Sequence, residues 1–364
     1  MNIAFYGSSL LSSYWNGAAT YYRGLLRELA AYGHATVFYE PDAFDRQRHR
    51  DIAPPDWCAV VVYEATEDGV RQVLSQAARA DVVIKASGVG VFDDVLLTGI
   101  LGHARSDALR IFWDVDAPAT LATLVQDESH PLRAALPHLD LVLTYGGAEP
   151  VAAAYRTQGA ARCVPIYNAL DPMTHHPVPL DPRYRADLTF LGNRLPDREA
   201  RVDALFLMAA RLLPTQRFLL GGAGWNDKPV PPNVVKLGHV PTAAHNALNV
   251  SARAVLNISR DSMARTGFSP ATRVFEAAGA GACLITDAWE GIELFLKPGE
   301  EVLVVHGAAD LAELLGELTP ERAAAIGAAA LRRLRAEHSY KRRAAQLHAL
   351  LLQAMARRRA VCAA

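Results

Sequence analysis

Residues Arg265–Asp287 read RTGFSPATRVFEAAGAGACLITD, a succession of loop, helix and buried strand that decides how the rest of the chain is read. Ser269 is a hydroxyl suited to capping a helix, and Pro270 suits the first helical position. Val274, Phe275, Ala277 and Ala278 give that helix a small, apolar face able to press closely on a sheet. Gly279 and Gly281 stop it, and Cys283–Thr286 reads as a short interior strand. Arg273 and Glu276 stand three positions apart and therefore share a face. The helix start offers free backbone N–H groups and a positive dipole end, which suit a phosphate. An anion at the helix start, with a carboxylate one to two turns later, suits a sugar nucleotide held by its diphosphate and ribose. The plainer alternative is an Arg273–Glu276 ion pair on a helix packed against a sheet.

Composition sets the bounds. The chain has 364 residues, 51% hydrophobic and 21% charged, enough for two domains with substantial cores. A formal net charge of −1 argues against nucleic acid or an anionic membrane as the main partner. Cys58, Cys163, Cys283 and Cys362 are widely spaced, with no C-x-x-C pair, so reduced thiols and a cytoplasmic location are expected. MNIAFYGSS reads as a core strand rather than a signal peptide, and no run reaches the roughly 20 apolar residues of a membrane span.

The flanking chain alternates strands and helices. Asn2–Tyr6, Ala35–Tyr39, Ala59–Tyr63, Asp81–Lys85, Leu109–Trp113, Asp140–Thr144 and Cys163–Ile166 read as apolar strands of a parallel sheet. The loop after the first, GSSLLSSYWNGAAT, lacks the G-x-G-x-x-G fingerprint, and its Tyr14 and Trp15 permit a flat or glycan-like acceptor. Gly17, opening the next helix, suits a close approach to a phosphate or sugar, or simply starts the helix. Ser87, in a glycine-rich turn, and Asp114-Val115-Asp116 lie just past strand ends, where α/β sheets bind ligands. A carboxylate there suits a general base or hydroxyl recognition, and Asp116 before Ala117-Pro118 equally suits a helix cap.

From Asn168 to Ala186 the chain turns proline-rich and aperiodic, the best linker in the sequence. His175 and His176 within it suggest a metal, but adjacent side chains diverge and no further ligand is near in sequence, so a surface loop is expected. The second α/β stretch has strands at Asp187–Leu191, Arg217–Leu220, Val234–Leu237, Arg253–Ile258 and Glu301–Val305. Gly192, Asn193, Arg194 and Arg198 join a strand end to a helix start, a plausible grip for a diphosphate or else a turn with solvated arginines. The arginine-rich stretch 322–358 reads as amphipathic helix broken near His338-Ser339, not as a nucleic-acid surface.

Pro270–Asp287 resembles the donor-binding segment of retaining GT-B glycosyltransferases. With EGIE at 290–293, PGEEVLVV, FWDVDAPAT, LTYGG and IYNALDP, the chain is more narrowly similar to the CgeB-like, spore-maturation-type glycosyltransferases. The resemblance implies two Rossmann-like domains facing across a cleft. Residues 1–168, joined by a returning helix at 340–364, would face the acceptor, and 169–339 would hold a nucleoside-diphosphate sugar, a UDP-sugar first. It implies that Glu276 accepts the ribose hydroxyls. Arg194, Arg198 and Arg273, with Gly192, Asn193 and the helix start at Ser269, Pro270 and Thr272, would carry the diphosphate. Gly238 and His239 would meet the base through backbone groups. Asp116 or Asp114 would serve as catalytic base, with Gly17, Ser87 and Asn168 on the acceptor or cleft side. The chain departs from the pattern at Phe268, where many relatives carry a first glutamate. No D-x-D motif stands near the donor segment, so no metal and no other cofactor is expected. Retention and inversion both stay open. A nucleotide-sugar 2-epimerase and a non-catalytic sugar-nucleotide-binding protein are the alternatives.

Overall fold

The computed structural model describes residues 1–14 and 16–363, so Trp15 of the first loop lies outside it. The chain divides into two compact units, Met1–Tyr167 with Tyr340–Ala364, and Asn168–Ser339.

The first unit is a seven-stranded, wholly parallel sheet. Its strands are β1 (Asn2–Tyr6), β2 (Ala35–Asp42), β3 (Ala59–Glu64), β4 (Val82–Ala86), β5 (Leu109–Asp114), β6 (Leu141–Thr144) and β7 (Cys163–Pro165). Their order across the sheet is β3-β2-β1-β4-β5-β6-β7. β4 and β6 are buried throughout, as expected of strands covered by helices on both faces. The loop after β1 is shaped by Glu40, a fully buried carboxylate that accepts from the backbone N–H groups of Leu10 and Leu11 and the Ser9 hydroxyl. The helix Tyr340–Ala363 belongs to this unit. It packs on the helix Ala18–Ala31 at Gly24, where an added Cβ would fall 2.2 Å from the Tyr340 ring.

The second unit is a six-stranded parallel sheet. It comprises β8 (Ala186–Leu191), β9 (Phe218–Gly221), β10 (Val234–Gly238), β11 (Ala252–Asn257), β12 (Leu284–Asp287) and β13 (Leu303–Val305). The order is β10-β9-β8-β11-β12-β13. Each sheet thus reverses its winding once, between β1 and β4 and between β8 and β11. Doubly wound sheets bind ligands outside the carboxyl ends of the strands at such a reversal. Among the described residues, no helix is long and apolar enough to cross a membrane.

Two local expectations need correction. The helix expected to begin at Pro270 spans Thr272–Gly279, with Ala271 at its N-cap and no side-chain cap. Ser269 is therefore not the cap; its buried hydroxyl has no hydrogen-bond partner. The reason lies just upstream, where Phe268 takes a left-handed backbone (φ 48) and donates its N–H to the Glu290 carbonyl at 2.6 Å. That bond ties the segment to the 290–291 turn, and Ala271 is still extended at ψ 154. The second correction concerns His175, which is not on the surface but 4% exposed.

Candidate functional site

The site is best built from the end of β8. Gly192 is held on both sides: its N–H donates to the Gly221 carbonyl at 2.9 Å, and its own carbonyl accepts from the Trp225 indole at 2.8 Å. Asn193 beside it accepts the Ala223 N–H through its side-chain oxygen at 2.9 Å. A Cβ added to Gly192 would lie 2.9 Å from Nη2 of Arg198 and 2.9 Å from Nη2 of Arg273. Two guanidinium groups from different helices, Pro196–Val202 and Thr272–Gly279, therefore converge over one glycine at the winding reversal.

Among the described residues neither arginine makes a direct ion pair, although Asp197 acts on Arg198, and Glu276 and Asp287 on Arg273, from further off. Arg198 donates to the Asn193 carbonyl, and Arg273 donates to Asn257 Oδ1 at 3.3 Å. Both lie against the buried Phe190 ring, 5.6 Å and 4.9 Å from its centroid. Burial, then the charge of Arg260, pulls Arg198 down to about 10. Burial, then the charge of Arg198, pulls Arg273 down to about 9. Two like charges held this close, with only more distant carboxylates at Asp197, Glu276 and Asp287, suit an anionic group at this edge. The Arg273–Glu276 ion pair, the plainer sequence alternative, does not form.

Arg194 is a correction. Its guanidinium sits between Glu199 at 2.8 Å and Asp227 at 3.0 Å, so its charge is already spent on holding the loop. Glu199 also takes Lys228 at 2.7 Å, which completes a local network at the rim. Gly238 ends β10 with φ 67, and a Cβ there would meet nothing within 4 Å. His239, which follows it, is exposed. Pro270 is buried and Thr272 is the first residue of its helix, partly exposed.

Glu276 lies one turn beyond Arg273 and has unforeseen company. Its carboxylate, His175 and His245 bring ligand atoms within 4.8 Å of one another. The expectation that no further ligand stands near His175 is thus overturned. Nothing in the local sequence signals the trio, because its members come from three separate segments joined only by folding.

In the first unit the two aspartates separate. Asp114 is fully buried and its carboxylate is saturated. It accepts from Ser87 Oγ at 2.8 Å, Thr120 Oγ1 at 3.1 Å, the Asp116 N–H at 2.9 Å and the Tyr155 hydroxyl. Burial raises its pKa, and those donors pull it back. Asp114 is therefore a brace, not an available base, and Ser87 is part of the same brace, also taking the Val115 N–H at 2.9 Å. Asp116 is partly exposed at the N-cap of the helix Ala117–Gln126, and its side chain does not cap that helix. Gly17 is exposed at the N-cap of the helix Ala18–Ala31, with open space where a Cβ would stand. Asn168 is 1% exposed.

Residues 198–349 match the family model described as Glycosyl transferase-like, and no curated protein matches the chain. Among solved structures, HepE of Anabaena in complex with UDP and glucose is similar at 14% identity, with 97% of this chain and 100% of that chain covered and a TM-score of 0.67. The sucrose-phosphate synthase of Thermosynechococcus elongatus is similar at 16% identity, covering 98% of this chain and 99% of its own, with a TM-score of 0.67. AviGT4, a glycosyltransferase of avilamycin A biosynthesis, is similar at 17% identity, with 98% of each chain covered and a TM-score of 0.61.

The fold is GT-B.

The GT-B likeness runs through both units, whereas the family match starts at Arg198 and takes in Arg273, His245 and Glu276. The guanidinium pair of this GT-B chain stands in the second unit, and Asp116 in the first.

Proposed function

We propose that this chain is a glycosyltransferase of the CgeB-like type. It would transfer a sugar from a nucleoside-diphosphate sugar, a UDP-sugar first, to a small-molecule, glycan or protein acceptor. The single observation that supports this most is the convergence of Arg198 and Arg273, neither in a direct ion pair, over Gly192. A donor diphosphate would supply the direct ion pairs that the two guanidinium groups do not make within the chain. As the glycosidic bond to the diphosphate breaks, negative charge grows on the leaving phosphate, and fixed cations already aimed there stabilise that state more than the ground state. The two arginines supply this charge without a metal in the transfer step. Glu276 accepts the ribose hydroxyls, and the backbone of Gly238 and His239 meets the base. Asp116, partly exposed where Asp114 is fully buried, is the carboxylate suited to take a proton from the acceptor hydroxyl.

The similar structures carry ligands of the same chemistry in their own sites: HepE with UDP-glucose, and the trehalose-6-phosphate protein of E. coli with UDP-2-fluoro glucose. The test is calorimetric titration of UDP, GDP, ADP and their sugars into protein stripped with EDTA. The expected result is selective binding of one base, weakened by Glu276→Ala. Absence of binding by every nucleotide would sink the proposal.

A further inference from the structure

We propose that His175, His245 and Glu276 form a binding site for a divalent transition-metal ion of the zinc class. The site shares Glu276 with the donor reading, because a metal held there would engage the carboxylate given to the ribose, and the experiment below reads metal and nucleotide separately. The three residues come from the irregular segment before β8, the helix Thr242–Ser251 and the helix Thr272–Gly279. They are held in place by backbone ties. The His175 N–H donates to the Asp171 carbonyl at 2.8 Å, and Asn246, next to His245, donates its amide to the Thr174 carbonyl at 2.9 Å.

The decisive point is the balance of donors and acceptors. His245 Nε2 is 3.1 Å from the Val240 carbonyl, which can only accept, so Nε2 carries the proton. Nδ1 is then the open nitrogen of a neutral ring, with a lone pair to give. His175 Nε2 is buried and has no hydrogen-bond partner. Glu276 adds a carboxylate. A cluster offering lone pairs from an imidazole and a carboxylate, with a second buried imidazole unsatisfied beside them, lacks an occupant that accepts lone pairs. A metal cation is such an occupant.

The donor set selects the metal class. Two imidazoles and one carboxylate suit zinc, cobalt or nickel rather than magnesium or calcium, which take oxygen ligands. The Val240 carbonyl, by accepting from His245 Nε2, fixes the tautomer and the ring plane, as acceptors behind metal-binding imidazoles do. Zinc bonds of about 2.1 Å imply ligand atoms about 3.4 Å apart, so the atoms, now within 4.8 Å of one another, would have to draw together on binding. Three protein ligands leave a fourth position for water or another oxygen ligand.

The test uses the full chain in a Cys362→Ser background, because Cys362 is the exposed thiol. Protein stripped with EDTA and desalted is titrated with Co2+, followed by its visible d–d bands, and then with Zn2+. The expected result is one equivalent of Co2+ with the intense bands of a low-coordinate site, displaced by Zn2+. His175→Gln and His245→Gln should each weaken binding by roughly 10–100-fold while circular dichroism stays unchanged. Absence of a saturable single equivalent in the parent protein overturns the proposal, and so do bands that persist undiminished in the folded variants. UDP titrated into the same metal-free protein reports on the donor reading independently.

Discussion

Two aspartates two residues apart, Asp114 and Asp116, show how much a single side chain's surroundings decide. Asp114→Asn would set an amide donor against one of four donors already aimed at that site, and a buried unmatched donor costs about 1–3 kcal/mol. The expected outcome is a lower Tm with nucleotide affinity unchanged, read by calorimetry. Asp116→Asn should behave in the opposite way, with Tm held and kcat for transfer depressed by roughly 100-fold or more, as for loss of a general base; an Asp116→Asn enzyme with full kcat would return this residue to a structural role. Arg273 makes a third case. Its folded-state pKa of about 9 lies well below the ordinary guanidinium value, so above about pH 9 the folded state holds fewer protons than the unfolded one, and stability rises with pH. Below pH 9 the cation is a standing cost to the free protein. Arg273→Met should therefore raise the Tm of the free protein, by roughly 2–4 °C for each kcal/mol relieved, while abolishing the shift produced by UDP. A variant that loses stability and keeps the nucleotide shift would contradict this account.

Elements were more legible than their chemistry. The strands could be read because parallel interior strands are unbroken apolar runs between turn residues. Leu141–Thr144 and Leu284–Asp287 each fall within one residue of the expected span. The start of the helix Thr272–Gly279 was misread because proline and serine rules are local, whereas the Phe268–Glu290 backbone bond acts from outside the window. Arg194 was misread for a similar reason, since Asp227 reaches it from the far side of β9. The grouping of Arg198 with Arg273 was legible only through the family resemblance, and that of His175, His245 and Glu276 not at all, because each depends on how distant segments fold together, which the local pattern does not contain. Close packing of elements leaves its own mark in glycine. A β-branched residue at Gly24 would drive atoms into the Tyr340 ring, so Gly24→Val should separate the helices Ala18–Ala31 and Tyr340–Ala363 and cost about 1–3 kcal/mol as an overpacking change. Chemical denaturation should report the loss, and a Gly24→Val protein as stable as the parent would count against this packing.

At the scale of the whole molecule, the first unit is assembled from two stretches of chain, and the second is completed between them. The last helix brings Ala344, Leu347, Leu351 and Met355 into the buried part of the first unit. A sheet built largely from the first half of the sequence therefore lacks part of its covering layer until Tyr340–Ala363 arrives. On the ribosome this inverts the usual order of events, in which the amino-terminal domain is finished first. The second unit, continuous from Asn168 to Ser339, has all its strands before the closing helix of the first emerges. We expect nascent chains halted after Ser339 has cleared the exit tunnel to protect the second unit from protease while the first stays cleavable, with resistance of the first appearing only once the helix Tyr340–Ala363 is out. Early resistance of the first unit would show that its sheet closes unaided. Synthesis order would then leave the half of the protein bearing Asp116 as the last to mature, and the half bearing Arg198 and Arg273 as the first to take its final form.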